Sequence, residues 1–360
     1  MNPKKLNKIL ITIVPVIGLY ACNSGTGTTT TPDNQPMQTL NFKPVGETIT
    51  RKIATAYPDQ DSVVVSFSDV VESHLSSGKV AFLQIKNDAT ASAKFTEATI
   101  NYNKNEVQPF GSLTVASNGL RYLPSLLLTQ RSFTLGSYNQ DGSLHKTSLL
   151  KDDNTWFRPV KFMASDNNNL YWNQDTGSGK GSLCHHSLSQ NDKSVCQDGV
   201  FPKWYNGEFV VKNNSLYYST TSGVEATSLD GQKSRQVGAA FTSLPAGYQI
   251  APGMLDTYKD RIYTAATYSQ DNTLHLATCS ISMQAQPDAK WSCSYSPQTT
   301  LKGRCSSHLP ICIKSDLSTQ ATSHSEIVRS FKIDAVTGKV VVIVTDSPSY
   351  NSQLYAASLK

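Results

Sequence analysis

Two short motifs combine residue types that catalytic loops use. Gly177-Ser178-Gly179-Lys180-Gly181 has the glycines and the lysine of a phosphate-binding loop, but that loop needs Ser or Thr directly after the lysine, where Gly181 stands. Ser76-x-x-Lys79 has the nucleophile and base spacing of some acyl-transfer enzymes, but it falls in a turn rather than on a helix. Both motifs are therefore predicted to be turns, and no catalytic residue is assigned.

Histidines and paired acids give no candidate metal or catalytic site. The histidines fall on or beside the same kind of strand in different repeats, so we expect structural or surface roles for His145, His185, His186 and His275. The acid pairs lack the glycine and the distal glutamate of a calcium loop: Asp59 with Asp61, and Asp152 with Asp153. No haem or dinucleotide motif is present, so no cofactor and no metal are predicted.

The first 21 residues have the pattern of an export signal. Three lysines precede an apolar run from Ile9 to Tyr20, which has the length of a signal core and is short for a membrane span. The run ends in Leu19-Tyr20-Ala21-Cys22, which resembles the lipobox of bacterial lipoproteins. The resemblance implies that residues 1–21 are removed and that Cys22 carries acyl chains such as palmitate. The alternative is an ordinary secretory signal with a chance cysteine.

The resemblance also implies a location. Asn23, rather than Asp, follows the lipidated cysteine, which favours the outer membrane, on its periplasmic face or at the cell surface. Residues 22–44 are rich in Thr, Gly, Ser, Pro and Asn, a composition typical of a flexible tether. The signal contributes three of the five formal positive charges, which leaves +2. The remaining basic residues are scattered among acids, so no nucleic-acid partner is predicted.

Residues 45–360 carry a repeated β pattern. An apolar-x-x-x-(Ser/Thr)-apolar signature occurs six times, beginning at Phe95, Leu144, Leu183, Val224, Leu276 and Leu354. Upstream of three copies, a polar turn is followed by Leu170-Tyr171, Leu216-Tyr217 or Ile262-Tyr263. Four short strands in about 40 to 50 residues is the unit of a β-propeller blade, and such blades must stack to bury both faces.

We therefore predict an all-β fold, a six-bladed β-propeller with four-stranded antiparallel blades. Seven blades, or a β-sandwich, are the alternatives. The final signature ends beside Lys360, so the last blade lacks a fourth strand, and the segment from Thr48 to Tyr57 is predicted to complete it and close the ring. The long interval before the last signature predicts an inserted loop near residues 297–322.

Six cysteines remain once Cys22 is set aside. An even number in an oxidising compartment predicts three disulfides. Two pairs join neighbouring strands of one blade and the third staples the inserted loop: Cys184–Cys196, Cys279–Cys293 and Cys305–Cys312. The alternative for the third pair is a zinc site, because Cys305-x-x-His308-x-x-x-Cys312 places three ligands in a short span.

The sequence predicts a membrane-anchored lipoprotein of the cell envelope whose propeller is a non-catalytic binding scaffold. Its partners would be the membrane, through the lipid anchor, and another envelope or extracellular protein or a glycan. The alternative is a periplasmic enzyme, or a small-ligand or carbohydrate-binding protein, with its site at the mouth of the propeller channel. Fold alone does not decide between the two, because propellers host many functions.

Overall fold

A computed structural model describes residues 40–49, 53–59, 62–67, 79–86, 95–101, 107–109, 113–127, 132–140, 143–151, 163–175, 181–189, 194–201, 205, 207–270, 273–301, 304–305, 313–314, 325–346 and 351–359. The predicted signal, Cys22 and most of the predicted tether lie outside these residues. No helix in the described part of the chain is long and apolar enough to cross a membrane.

The described strands form six antiparallel sheets, numbered here in chain order. Sheet 1 contains β2 (Ile53–Asp59), β3 (Ser62–Phe67), β4 (Lys79–Lys86) and β5 (Phe95–Asn101). Sheet 2 contains β6 (Val107–Pro109), β7 (Thr114–Val115), β8 (Arg121–Leu127), β9 (Ser132–Tyr138) and β10 (Leu144–Lys151). Sheet 3 contains β11 (Met163–Ser165), β12 (Asn169–Asp175), β13 (Gly181–Ser187) and β14 (Val195–Phe201).

Sheet 4 contains β15 (Phe209–Lys212), β16 (Ser215–Ser219), β17 (Val224–Ser228) and β18 (Ser234–Val237). Sheet 5 contains β19 (Tyr248–Tyr258), β20 (Arg261–Gln270), β21 (Thr273–Ser282) and β22 (Ser292–Leu301). Sheet 6 contains β23 (Arg304–Cys305), β24 (Ile313–Lys314), β25 (Ser325–Ile333), β26 (Lys339–Asp346), β27 (Ser352–Ser358) and, from the other end of the chain, β1 (Lys43–Ile49).

The predicted all-β, propeller-like fold and its four-stranded antiparallel unit are confirmed. Sheets 1 to 5 are built from consecutive strands, and sheets 1, 3, 4 and 5 have four strands each. The β-sandwich alternative is wrong, because a sandwich has two sheets. The Leu-Tyr pairs lie on second strands, as the repeat predicts: Leu170-Tyr171 on β12, Leu216-Tyr217 on β16 and Ile262-Tyr263 on β20.

Polar turns join the first and second strands. In sheet 4, Asn213 and Asn214 adopt φ of 52° and 56°, the left-handed values that a two-residue hairpin turn requires. Asparagine tolerates this region better than most residues, so the Asn-Asn pair fits its place.

Buried apolar residues lie between neighbouring sheets rather than within one. Between sheets 6 and 1, Ala56 and Val63 pack with Val341 and Ile343. One strand of each sheet contacts the corresponding strands of the next and the previous sheet, and we call these the first strands: β2, β7, β11, β15, β19 and β25. The contacts run in order from β2 to β25, and β25 also contacts β2. Neighbouring sheets therefore pack through their first strands, as blades of a propeller-like fold do.

The N-terminal strand is displaced from its predicted position. We expected Thr48 to Tyr57 to complete the last sheet, but β1 (Lys43–Ile49) is the strand that pairs with β27, while β2 pairs with β3 in sheet 1. The predicted tether boundary at residue 44 is also wrong. Phe42 is 2 % exposed and lies against sheet 5, where its N–H donates to Ser296 Oγ at 3.1 Å.

The predicted inserted loop is partly strand. Residues 297–301 complete β22, and β23 and β24 form a short hairpin that pairs with the start of β25. The long interval before the last signature suggested a loop, but part of the extra length extends β22 and adds the β23–β24 hairpin to sheet 6. The rest of the predicted loop lies outside the described residues.

Candidate functional site

Charged and polar side chains from several sheets meet at the first strands. We define the first-strand cluster as Tyr57, Glu208, Asp256, Ser330 and Lys332. Tyr57 lies on β2, Asp256 on β19, and Ser330 and Lys332 on β25, while Glu208 directly precedes β15. Side chains from four sheets therefore converge on one place.

A buried ion pair forms the centre of the cluster. Lys332 Nζ lies 3.6 Å from Glu208 Oε2, and the two side chains are 5 % and 1 % exposed. Ser330 Oγ donates a hydrogen bond to Glu208 Oε1 at 3.2 Å. Among the described residues, Glu208 Oε2 has no hydrogen-bond partner within hydrogen-bond distance, and Lys332 Nζ lies beside it. Burying a carboxylate oxygen that accepts no hydrogen bond costs free energy. The charge of Lys332 offsets only part of that cost.

Asp256 supplies a second carboxylate. Its Oδ2 accepts the backbone N–H of Ile333 at 2.8 Å, and its Oδ1 accepts the N–H of Thr257 at 2.7 Å. The residue is partly exposed, unlike Glu208. Burial raises the pKa of Asp256, and the charge of Lys332 opposes that rise.

Tyr57 covers the ammonium group from sheet 1. Lys332 Nζ lies 5.5 Å from the centroid of the Tyr57 ring, within the range of a cation–π contact. Burial raises the pKa of the Tyr57 phenol, which is therefore neutral at pH 7. Tyr57 is partly exposed as a residue, as Asp256 is.

One cation faces two carboxylates in this cluster. Burial is the largest effect on Glu208, and with the charge of Asp256 it raises the pKa of Glu208 to about 7 although Lys332 lowers it. Burial lowers the pKa of Lys332, but Glu208, Tyr57 and Asp256 raise it by more, so the net direction is upward. Lys332 therefore keeps its charge, while Glu208 exchanges a proton near neutral pH. A carboxyl group with this property is suited to general acid–base chemistry.

Two glycines set the position of Glu208. The N–H of Glu208 donates to Gly253 O at 2.8 Å. A Cβ on Gly207 would lie 2.9 Å from Gly253 Cα, and Gly253 has φ of +80°. This close approach of two backbones needs glycine on both sides, and it brings the start of β15 against β19.

Tyr205 also holds the segment that contains Glu208. Its hydroxyl donates to Glu208 O at 2.8 Å and accepts the N–H of Ser219 at 3.2 Å. The tyrosine ring also packs with Phe201 and Tyr218 at centroid distances of 5.5 and 5.4 Å. The backbone of Glu208 is thus held by a direct hydrogen bond to sheet 5 and, through the Tyr205 hydroxyl, to sheet 4.

Two predicted disulfides are confirmed. Cys184–Cys196 joins β13 to β14, and Cys279–Cys293 joins β21 to β22, so each links the third and fourth strands of a sheet. The third predicted pair cannot be placed, since Cys312 is outside the described residues and nothing is described of the Cys305 side chain. His308 is outside them too, so the zinc alternative stays a prediction.

The other sequence candidates do not join the cluster. Ser76 and the residues from Gly177 to Lys180 lie outside the described part of the chain, as does the lipidation candidate Cys22. His145 is exposed. His186 is 8 % exposed, and burial lowers its pKa. No group of three or more metal-ligating side chains is found among the described residues.

Sequence reasoning missed the first-strand cluster, although a signal for it exists. Each charged member stands next to apolar residues: Glu208 precedes Phe209-Val210-Val211, Asp256 follows Leu255, and Lys332 separates Phe331 from Ile333. A charged residue in or beside a buried strand requires a partner of opposite charge. The three charged residues could therefore have been assigned to one site.

No protein-family model matches the chain. No curated protein matches it either.

Comparison with solved structures finds similar proteins at low identity. A luciferin-regenerating enzyme is 15 % identical, with a TM-score of 0.49 over 88 % of this chain and 95 % of that one. The extracellular domain of a hybrid two-component system from B. thetaiotaomicron is 11 % identical, with a TM-score of 0.42 over 88 % of this chain and 39 % of that one. A GH43_1 enzyme from Xanthomonas citri is 12 % identical, with a TM-score of 0.37 over 89 % and 90 %. Likeness at this level carries no argument about activity.

Proposed function

We propose that the first-strand cluster is the functional site of an exported enzyme, with Glu208 as its acid–base group. The observation that supports this most is the pKa of Glu208, raised to about 7 in contact with Lys332 and beside a second carboxylate. A scaffold for a protein partner needs no such group. The cluster therefore favours the alternative prediction over the non-catalytic scaffold.

The substrate class follows from the chemistry of the two carboxyl groups. A protonated carboxylic acid paired with an ionised carboxylate is the usual equipment for hydrolysis of glycosidic bonds. Glu208 would donate the proton to the leaving group, and Asp256 would act as the second carboxylate. We therefore propose a small carbohydrate as the substrate.

We also propose that the six sheets are six blades of a closed ring. The cyclic order of contacts between first strands supports this, as does the pairing of β1 with β27. Deleting residues 23–39 should leave the thermal melting temperature nearly unchanged, and deleting residues 23–49 should lower it strongly. Equal melting of the two truncations would refute closure by β1.

The lipid anchor at Cys22 and the outer-membrane location remain proposals. The two disulfides are consistent with an extracellular or periplasmic location. Metabolic labelling with palmitate should mark the wild-type chain and not Cys22→Ser. Equal labelling of both would refute lipidation at Cys22.

Hydrolysis of a panel of 4-nitrophenyl pentosides and hexosides by the purified full-length chain tests the activity. We expect turnover of at least one member, and a loss of 10²-fold or more in kcat for Glu208→Gln. Activity should fall as pH rises above 7, because Glu208 loses its proton there. Asp230→Asn is the control, since Asp230 is an exposed carboxylate in the turn between β17 and β18, away from the cluster. A wild-type chain that cleaves no member, or an active Glu208→Gln, would overturn the proposal.

A further inference from the structure

A tyrosine hydroxyl is inserted between β15 and β16 at the position of Glu208. Phe209 pairs with Tyr218, so continuing the register places Glu208 opposite Ser219. Every second pair of an antiparallel ladder is hydrogen-bonded, and counting from the turn of this hairpin makes Glu208 and Ser219 such a pair. The N–H of Ser219 instead donates to the Tyr205 hydroxyl at 3.2 Å, and this hydroxyl donates to Glu208 O at 2.8 Å. Tyr205 therefore replaces the direct ladder bond.

The hydroxyl belongs to a closed set of four hydrogen bonds, and we define the Tyr205 network as Tyr205, Glu208, Ser219 and Gly253. The N–H of Glu208 donates to Gly253 O at 2.8 Å, and the N–H of Gly253 donates to Ser219 Oγ at 3.1 Å. With the two bonds through Tyr205, each residue of the network donates once and accepts once. Glu208, Ser219 and Gly253 are buried. Hydrogen bonds in such a buried network strengthen one another, so the loss of one member weakens the rest.

Tyr205 is held in place by contacts that do not involve Glu208. Its carbonyl oxygen accepts a hydrogen bond from the side-chain amide of Asn173, which lies on β12 of sheet 3. Its aromatic ring stacks on Phe201 of sheet 3, with 5.5 Å between centroids and 6° between the ring planes. The edge of the Tyr218 ring packs against it at 5.4 Å. Sheets 3 and 4 therefore determine where the Tyr205 hydroxyl lies.

The network determines where the carboxyl group of Glu208 lies. The N–H and C=O of Glu208 are both bonded within the network, while its carboxyl group contacts Ser330 and Lys332 of sheet 6. A displaced backbone would change both the burial of this carboxyl group and its distance from Lys332. The titratable side chains around the carboxyl group are those of Lys332, Asp256, Tyr57 and Tyr205.

We propose that Tyr205 is a positioning residue for Glu208 and acts through the network that it forms with Ser219 and Gly253. Its hydroxyl bonds the backbone of Glu208 and not the carboxyl group, so it would set the position of the acid–base group without taking part in proton transfer. The expected effect on turnover rests on the proposed function. The expected effect on the carboxyl group does not, because it can be measured without a substrate.

An NMR titration of the full-length chain, isotopically labelled at the carboxyl carbon of glutamate, measures the pKa of Glu208. Its signal is the one that is absent in Glu208→Gln. In Tyr205→Phe, which keeps the aromatic ring, this pKa should fall by about 0.5 or more, because burial is the main cause of its rise and a released carboxyl group takes up water. Tyr218→Phe is the matched control, since its hydroxyl bonds Glu225 outside the network, and the pKa of Glu208 should not change there.

Turnover gives a second measurement, on any 4-nitrophenyl glycoside that the wild type cleaves. Tyr205→Phe should lower kcat about tenfold or more and leave KM within about twofold, because the acid is misplaced and the substrate contacts remain. The loss of activity with rising pH should begin at lower pH, following the pKa of Glu208. Ser219→Ala removes the acceptor of the Gly253 N–H and should act in the same way. It replaces Tyr205→Phe if circular dichroism and thermal melting show that Tyr205→Phe does not fold.

The two measurements separate this inference from the proposed enzyme. A folded Tyr205→Phe in which the pKa of Glu208 does not fall would overturn the inference, as would an equal fall in Tyr218→Phe. A wild-type pKa near 4.5 would overturn both the inference and the proposed function. A chain that cleaves no glycoside, but in which Tyr205→Phe alone lowers the pKa of Glu208, would refute the proposed function and support the positioning role of Tyr205.

Discussion

The proton on Glu208 should make the stability of this protein depend on pH, and Glu208→Gln should remove that dependence. Its pKa is raised in the folded chain from 4.5 to about 7. The folded state therefore binds more protons than the unfolded state between these values, so stability is greatest below pH 4.5 and is lost as pH rises through 7. At 1.36 kcal/mol per pH unit, the loss is about 3 kcal/mol.

Urea unfolding followed by tryptophan fluorescence, at intervals from pH 5 to pH 8, measures this loss. The difference in unfolding free energy between wild type and Glu208→Gln should change by about 2 to 3 kcal/mol across that range, in favour of the variant at high pH. A constant difference at all pH values would refute the reasoning. Asp230→Asn is the control, since hydrogen bonds lower the pKa of this exposed turn acid and it does not titrate in that range.

Three further changes test how the fold is held together. Gly253→Ala should cost about 1 to 3 kcal/mol in urea unfolding, because φ is +80° and the new Cβ would lie 3.1 Å from Gly207 Cα; an unchanged midpoint would contradict the close approach. Replacing Cys184 and Cys196 together by Ala should cost about 3 kcal/mol, the value for a loop of this length, and an unchanged midpoint would contradict a stabilising role for this disulfide. Phe42→Ala should lower the free energy of unfolding by about 3 to 5 kcal/mol in the same assay, since its ring is buried. A decrease below about 1 kcal/mol would show that Phe42 belongs to the tether.

The propeller-like fold could be predicted because each sheet repeats one local pattern. A polar turn followed by a Leu-Tyr pair fixes where the second strand begins, and alternation along that strand assigns its two faces. The cysteine pairs followed from the same register. Cys184 and Cys279 occupy matching third strands, so their partners had to lie on the adjacent fourth strands.

The ends of the pattern could not be predicted in the same way. The sequence predicted that an N-terminal strand completes the last sheet, but local sequence did not identify which segment pairs with β27. Lys43–Ile49 also includes Pro44 and Gly46, residues that are depleted in strands, whereas the expected segment to Tyr57 is richer in β-forming residues. Pairing with the exposed edge of β27 overrode this preference.

The first-strand cluster shows why the partners of conspicuous residues cannot be identified from one sequence. Glu208 and Lys332 lie in different sheets and far apart in sequence. In isolation each reads as a polar residue at the end of a strand. Only the stacking of sheets brings them within 3.6 Å, and only then does burial raise the pKa of Glu208 towards neutrality. The property that supports a function thus arises at the level of packing between sheets, because charge and burial are brought together there for the first time.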